Sequence, residues 1–122
     1  MEKIILNLIK LQNQLRINHW QTESYAQHKA FGKAYENLGG LLDNLVEVHQ
    51  GKYGRIAYPS PTAVELVNMS DLDINSVLVE VTDYLSSEFG NDVDPQKDTD
   101  CLNIRDSILQ ELNQLKYLLT LK

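Results

Sequence analysis

Apolar residues in this chain return every three or four positions and nowhere alternate every second one. His28, Phe31, Tyr35, Leu38, Leu42, Leu45 and His49 hold a 3-4-3-4 spacing. At 3.6 residues per turn such a set falls on one face of a helix and forms a packed seam. Ile4, Leu8, Leu11, Leu15 and His19 repeat the period earlier in the chain. The missing period of two argues against a sheet and confines the chain to an all-α class.

The spacing predicts a first helix from about Glu2 to Thr22, with Ile5, Gln12 and Trp20 flanking its stripe. Ser24 followed by Gln27 is a capping-box signal for the second helix. That helix is expected to end near Gln50-Gly51, with Gly51 as the residue past the end. Gly32, Gly39 and Gly40 cost helix propensity, which points to close packing against another backbone or to a local kink. A turn-rich linker, KYGRIAYPSP, follows. Ser60-Pro61 reads as the start of a short helix through about Val67, with Thr62 to Val67 as its body. Ser70 with Asp73 is expected to cap a third main helix, whose apolar face is Ile74, Val77, Leu78, Val81, Tyr84 and Leu85 and which Gly90-Asn91 stops. The last helix is predicted from about Thr99 to Leu121, with Leu102, Ile104, Ile108, Leu112, Leu115 and Leu119 inward. The long connection in the middle lets the second and third helices run parallel, as in ferritin-like bundles. The expected fold is one all-α, ferritin-like four-helix bundle over residues 1–122, with a short extra helix between helices two and three.

A chain of 122 residues fits one domain and buries roughly two-thirds of its unfolded surface, enough for a core without staples. The single cysteine, Cys101, excludes an internal disulfide framework and fits a reduced, cytoplasmic setting. Lys3, Asn7 and Lys10 interrupt the N-terminal apolar run, so it reads as neither a signal peptide nor a membrane span. The formal net charge of -6, with no Lys/Arg cluster, disfavours direct nucleic-acid binding. An acidic surface is by itself a solubility feature.

One constellation carries possible chemistry. His19 lies on the stripe of the first helix, His28 opens the second, and Asp43 and Glu47 sit one turn apart further along it. Imidazole suits zinc or iron, and carboxylates extend the choice to harder ions. Each residue also has a bland reading: His19 as a bonded core histidine, Trp20 as packing with its N–H satisfied at an edge, His28 as a surface histidine at a helix N-terminus, and Asp43 with Glu47 as a solvated acidic edge. If both acids face inward their repulsion calls for a cation. His49 points away from Glu47 and reads as structural or surface. Glu-x-x-His, the signature of a di-iron site inside one bundle, is absent: Asn68 follows Glu65 by three, Gln114 follows Glu111, and Gln50 follows Glu47.

The stretch from Leu11 to Gly51 resembles the Dps family of mini-ferritins, which oxidise and store iron. That family shows a His-Trp pair late in its first helix, a second His opening the next, an Asp four residues later, and Asp-x-x-x-Glu further on. His19-Trp20, His28, Asp43 and Glu47 match this pattern. The resemblance implies an iron site, or a zinc site, between two subunits of a homo-oligomer. One chain would give His19 and His28, and its partner Asp43 and Glu47. The implied reaction is oxidation of ferrous iron by peroxide or dioxygen, followed by storage if a cage forms. Gly32 stands where the family's first acid falls, the loop from His19 to His28 is short, and the basic N-terminal tail is missing. The string from Ser24 to Arg55 also resembles small helical proteins, many encoded by bacteriophages, which leaves a second reading: a non-catalytic helical interaction or structural protein that has lost the complete site.

Overall fold

The computed structural model describes residues 1–122 and consists of helices, turns and extended connections without a strand. The four helices are α1 (Glu2–Gln21), α2 (Tyr25–Tyr53), α3 (Ile74–Ser87) and α4 (Thr99–Leu118), with 3-10 turns at Met69–Asp71 and Phe89–Asn91. Nineteen buried apolar side chains form one core, drawn from all four helices, among them Leu8, Leu15, Phe31, Leu38, Leu78, Leu85, Ile108 and Leu112. Each fully buried Leu, Ile or Phe of this set contributes about 1.5–3 kcal/mol by leaving water. No helix is long and apolar enough to cross a membrane.

Side-chain pairs fix the helix directions. Gln12 reaches the Tyr35 carbonyl and His19 meets His28, so α1 and α2 form an antiparallel hairpin. Lys33 bonds Gln114 and Asn37 bonds Glu111 toward one end of α2, while Lys52 bonds Asp98 and Asp100 at the other, so α2 and α4 are antiparallel. Lys116 reaches Thr82 and Arg105 lies over Phe89, which makes α3 antiparallel to α4 and therefore parallel to α2. The connection over residues 54–68 must then carry the chain back along the bundle. Fifteen extended residues reach about 50 Å, against about 30 Å for the length of α1.

The capping box at Ser24 forms in part. Ser24 Oγ accepts the Gln27 N–H, but the Gln27 side chain binds the Thr22 hydroxyl, and Thr22 Oγ1 in turn accepts the Ser24 N–H. Other boundaries differ from the sequence expectation. α2 continues past Gly51 to Tyr53, and the positive φ of 86° falls at Gly54. Lys52 and Tyr53 are held by acids of the α4 segment, and those long-range bonds carry the last turn past the glycine. Asp73, not Ser70, caps α3, its carboxylate accepting the Asn75 N–H and the Ser76 hydroxyl. α4 stops at Leu118, three residues before the expected Leu121.

The expected short helix from Ser60 through Val67 is replaced by a segment without regular secondary structure that bends at Ser60 and Pro61, across a cis peptide bond. Pro59 and Pro61 push Tyr58 and Ser60 toward extended backbone. The amide of Gln14 takes both main-chain groups of Val67, donating to its C=O at 2.9 Å and accepting its N–H at 3.0 Å. A helical Val67 would spend those groups within its own segment.

Candidate functional site: the histidine seam of α1 and α2

His19 enters the seam because its helical position continues the row of Ile5 and Gln12, the row that faces α2. His28 enters from the first turn of α2, which Ser24 starts at a fixed residue. The two imidazoles stack with ring centroids 3.8 Å apart and planes at 16°. Nδ1 of His19 lies 2.6 Å from the His28 carbonyl, and Nδ1 of His28 lies 2.8 Å from the His19 carbonyl. A carbonyl only accepts, so each Nδ1 carries the hydrogen, and in the neutral ring each Nε2 keeps an in-plane lone pair. The pair is a reciprocal clasp, each histidine closing the hairpin onto the other's backbone.

Further groups extend the seam. Tyr35 sets its ring edge-on to His19 at 5.4 Å, and the Arg16 guanidinium lies 4.9 Å from the Tyr35 centroid. The Tyr25 ring lies 6.3 Å from that of His28 with planes at 26°, and the Lys29 ammonium is 5.5 Å from the Tyr25 ring. A row of four rings thus runs along the hairpin with a cation at each end. Gly32 makes room for it, since a Cβ there would lie 2.9 Å from His19 Cε1. The residue that departs from the Dps pattern is therefore the one the His19 ring rests on.

Asp43 and Glu47 are not part of this cluster. They follow His28 by fifteen and nineteen residues on one continuous helix, hence by about 22–28 Å along it. Both are exposed beside a shallow apolar floor of Ile5, Ile9, Leu42 and Val46, with Tyr58 at its edge. Within one chain the four expected ligands fall into two separate pairs, and nowhere do three His, Cys, Asp or Glu side chains gather to hold an ion. The stacking adds a restriction. An ion held in the plane of one ring at about 2.1 Å lies well off the plane of the other, so both Nε2 atoms cannot serve one ion unless a ring turns. As arranged in one chain, these residues do not fit a shared metal.

Trp20, expected as a packing residue, is 68 % exposed, as is Tyr25 at 73 %. The packing role falls to Tyr35, already on the predicted stripe of α2, and to Arg16, which the sequence reading did not single out. A guanidinium four residues before an exposed Trp is the only local hint of it.

A second polar cluster joins the far end of α2 to the start of α4. Asp98 is 2 % exposed and accepts the Tyr53 hydroxyl at 2.6 Å, the Asp94 N–H at 2.7 Å and the Lys52 ammonium at 3.2 Å. Those bonds, Tyr53 first, hold its carboxyl down to about 2. The bond to Asp98 raises Tyr53, and the bond to Asp100 raises Lys52. Burial raises the Cys101 thiol next to this cluster and lowers His49, whose ring lies 4.9 Å from Tyr53. Every oxygen of Asp98 is taken by a protein donor, which makes the cluster a structural tie between helices.

Comparison with curated proteins and with solved structures returns no match. A family model does match, over residues 19–119, a span that opens on His19 and takes in the seam, the connection and α4. The chain belongs to that family, the family of unknown function DUF5856.

Proposed function

We propose that this protein is a non-catalytic helical interaction module that self-associates through the outer face of the α1–α2 hairpin. The observation that carries the reading is the division of that face into two complementary ends. At one end are exposed Trp20 and Tyr25, with Arg16, which has no carboxylate partner. At the other are Asp43 and Glu47 over Ile9 and Val46, with Tyr58. Such a face is self-complementary about a two-fold axis, because each end of one copy meets the opposite end of the other. Trp, Tyr and Arg are the residue types that anchor interfaces. The histidines brace the hairpin in this reading, with their Nδ1 atoms and ring faces already occupied. Sedimentation equilibrium tests it. A dimer or larger assembly that Trp20→Ala and Glu47→Lys each drive toward monomer is the expected result. A monomer across the micromolar range, at low and moderate salt, would overturn it.

A second reading follows from one feature. The carbonyl-bound Nδ1 atoms leave both Nε2 atoms unbonded, the arrangement in which a backbone carbonyl orients a metal-binding histidine. A two-fold mate on the same face would bring its Asp43 and Glu47 toward His19 and His28. The parallel α2 and α3, joined by a long crossover, support a ferritin-like arrangement. A Dps-like site for iron or zinc between subunits then requires one imidazole to turn out of the stack. Titration with ferrous iron and with zinc separates the readings. Stoichiometric binding that His28→Ala and Asp43→Ala both abolish supports the metal site, whereas equally weak binding by all three proteins removes it.

A further inference from the structure

The most weakly tied part of this fold is the connection between α2 and α3. No backbone group of residues 55–67 bonds another backbone group. Glutamine side chains of the helices hold the segment instead. Gln50 Oε1 accepts the Ile56 N–H at 3.1 Å. Gln21 Oε1 accepts the Met69 N–H at 2.7 Å, and its Nε2 donates to Asn68 Oδ1 at 3.0 Å. Gln14, 5 % exposed, takes the N–H and C=O of Val67 together, as a neighbouring strand would, and also donates to Asn18 Oδ1. Between these ties, residues 57–63 are all exposed.

The segment crosses a cleft. α1 and α3 both face it yet share few contacts, because α3 packs chiefly on α4. Its walls are Leu11 and Gln14 of α1 and Val77 and Val81 of α3, and Val67 and Leu72 close it from the connection. Removing residues 55–67 from that position would uncover apolar wall without breaking a helix hydrogen bond. It would also free the Gln14 amide, one donor and one acceptor at main-chain spacing, beside that wall.

We propose that residues 55–67 are a releasable strap, clasped by Gln14, that opens as a unit separate from the four helices and uncovers the α1–α3 cleft. This goes beyond self-association on the α1–α2 face: Tyr58 belongs to both strap and face, but the Gln14 clasp and the cleft lie on another side of α1, and opening there does not depend on that association. Opening of this kind is drawn from the low-stability end of a fold, where apolar burial is small and backbone bonds are few. The clasp determines how often it occurs.

Native-state hydrogen exchange on the full chain tests the proposal. Gln14→Met keeps the length of the side chain and removes both bonds to Val67, together with the one to Asn18 within α1, which is present whether the strap is open or closed. The Val67 amide is expected to exchange about 30-fold faster, the effect of losing two ordinary hydrogen bonds. Amides of Leu15, Leu38 and Leu112 should keep their wild-type rates. Binding of an apolar fluorescent dye should rise in the same variant, because the cleft is open more often. A Val67 rate unchanged by Gln14→Met, or one that rises only in step with the helix amides, would overturn the strap. Should the variant not fold, the wild type decides. Exchange at Val67 that is insensitive to low urea, while Leu15 exchange is sensitive, supports local opening. Equal sensitivity at the two sites overturns it.

Discussion

Two glycines on one helix show how a single neighbour sets the value of a residue. At Gly32 a Cβ would lie 2.9 Å from Cε1 and 3.0 Å from Nδ1 of His19. That ring cannot swing aside freely, being stacked on His28 and bonded to its carbonyl. At Gly40 nothing lies within 4 Å of the added carbon. Alanine in place of glycine adds about 1 kcal/mol of helix propensity at either position. At Gly40 that gain stands alone, so Gly40→Ala should stabilise by about 0.5–1 kcal/mol. At Gly32 the overpacking cost of about 1–3 kcal/mol exceeds it, so Gly32→Ala should destabilise by about 1 kcal/mol. Urea midpoints of the two variants against wild type check the opposite signs. Equal stabilisation by both would mean that the imidazole pair is not a fixed brace.

Among the elements, the tie between α2 and α4 carries the pH dependence. The Asp98 carboxyl lies at about 2 in the folded chain against an ordinary 3.8. A depressed acid contributes stability that is full above about pH 4 and is lost as pH falls toward 2. His49 is lowered by burial, with the charge of the N-terminus as a smaller cause. Its folded form favours the neutral ring, so its contribution is complete above the ordinary value of 6.5 and declines as pH falls below it. The two windows are separate. Urea midpoints measured between about pH 7.5 and 2.5 should show an upper step that His49→Gln flattens and a lower one that Asp98→Asn flattens. Asp98→Asn should also lower stability at pH 7, because Lys52 and Tyr53 lose an ionised partner. A lower step that survives Asp98→Asn would assign it to another carboxylate.

For the molecule as a whole, net charge and face charge act in opposite directions. A chain of net charge -6 repels its copies at long range. The proposed contact instead sets Arg16 near Asp43 and Glu47, an attraction that salt screens. Self-association should therefore weaken between about 50 mM and 500 mM salt and survive in part through the aromatic contacts. The thermal midpoint should rise with protein concentration, since only the folded state associates. Light scattering and thermal melts over a range of concentrations check both. A midpoint independent of concentration would exclude linked assembly.

The sequence by itself determined the all-α class, the four helices, the start of α2 at Ser24 and the apolar side of each helix. These follow from period and capping, which are properties of residues three or four apart. It also singled out His19 and His28, as candidate metal ligands. Only the tertiary structure decided what those rings do. It set Gly32 under one and gave each the other's carbonyl. It also decided the non-helical course of residues 54–68 and the continuation of α2 to Tyr53. Gln14 meets Val67 across fifty-three positions and Tyr53 meets Asp98 across forty-five. Bonds that span such distances are formed by the packing of helices and leave no periodic trace in the chain that makes them.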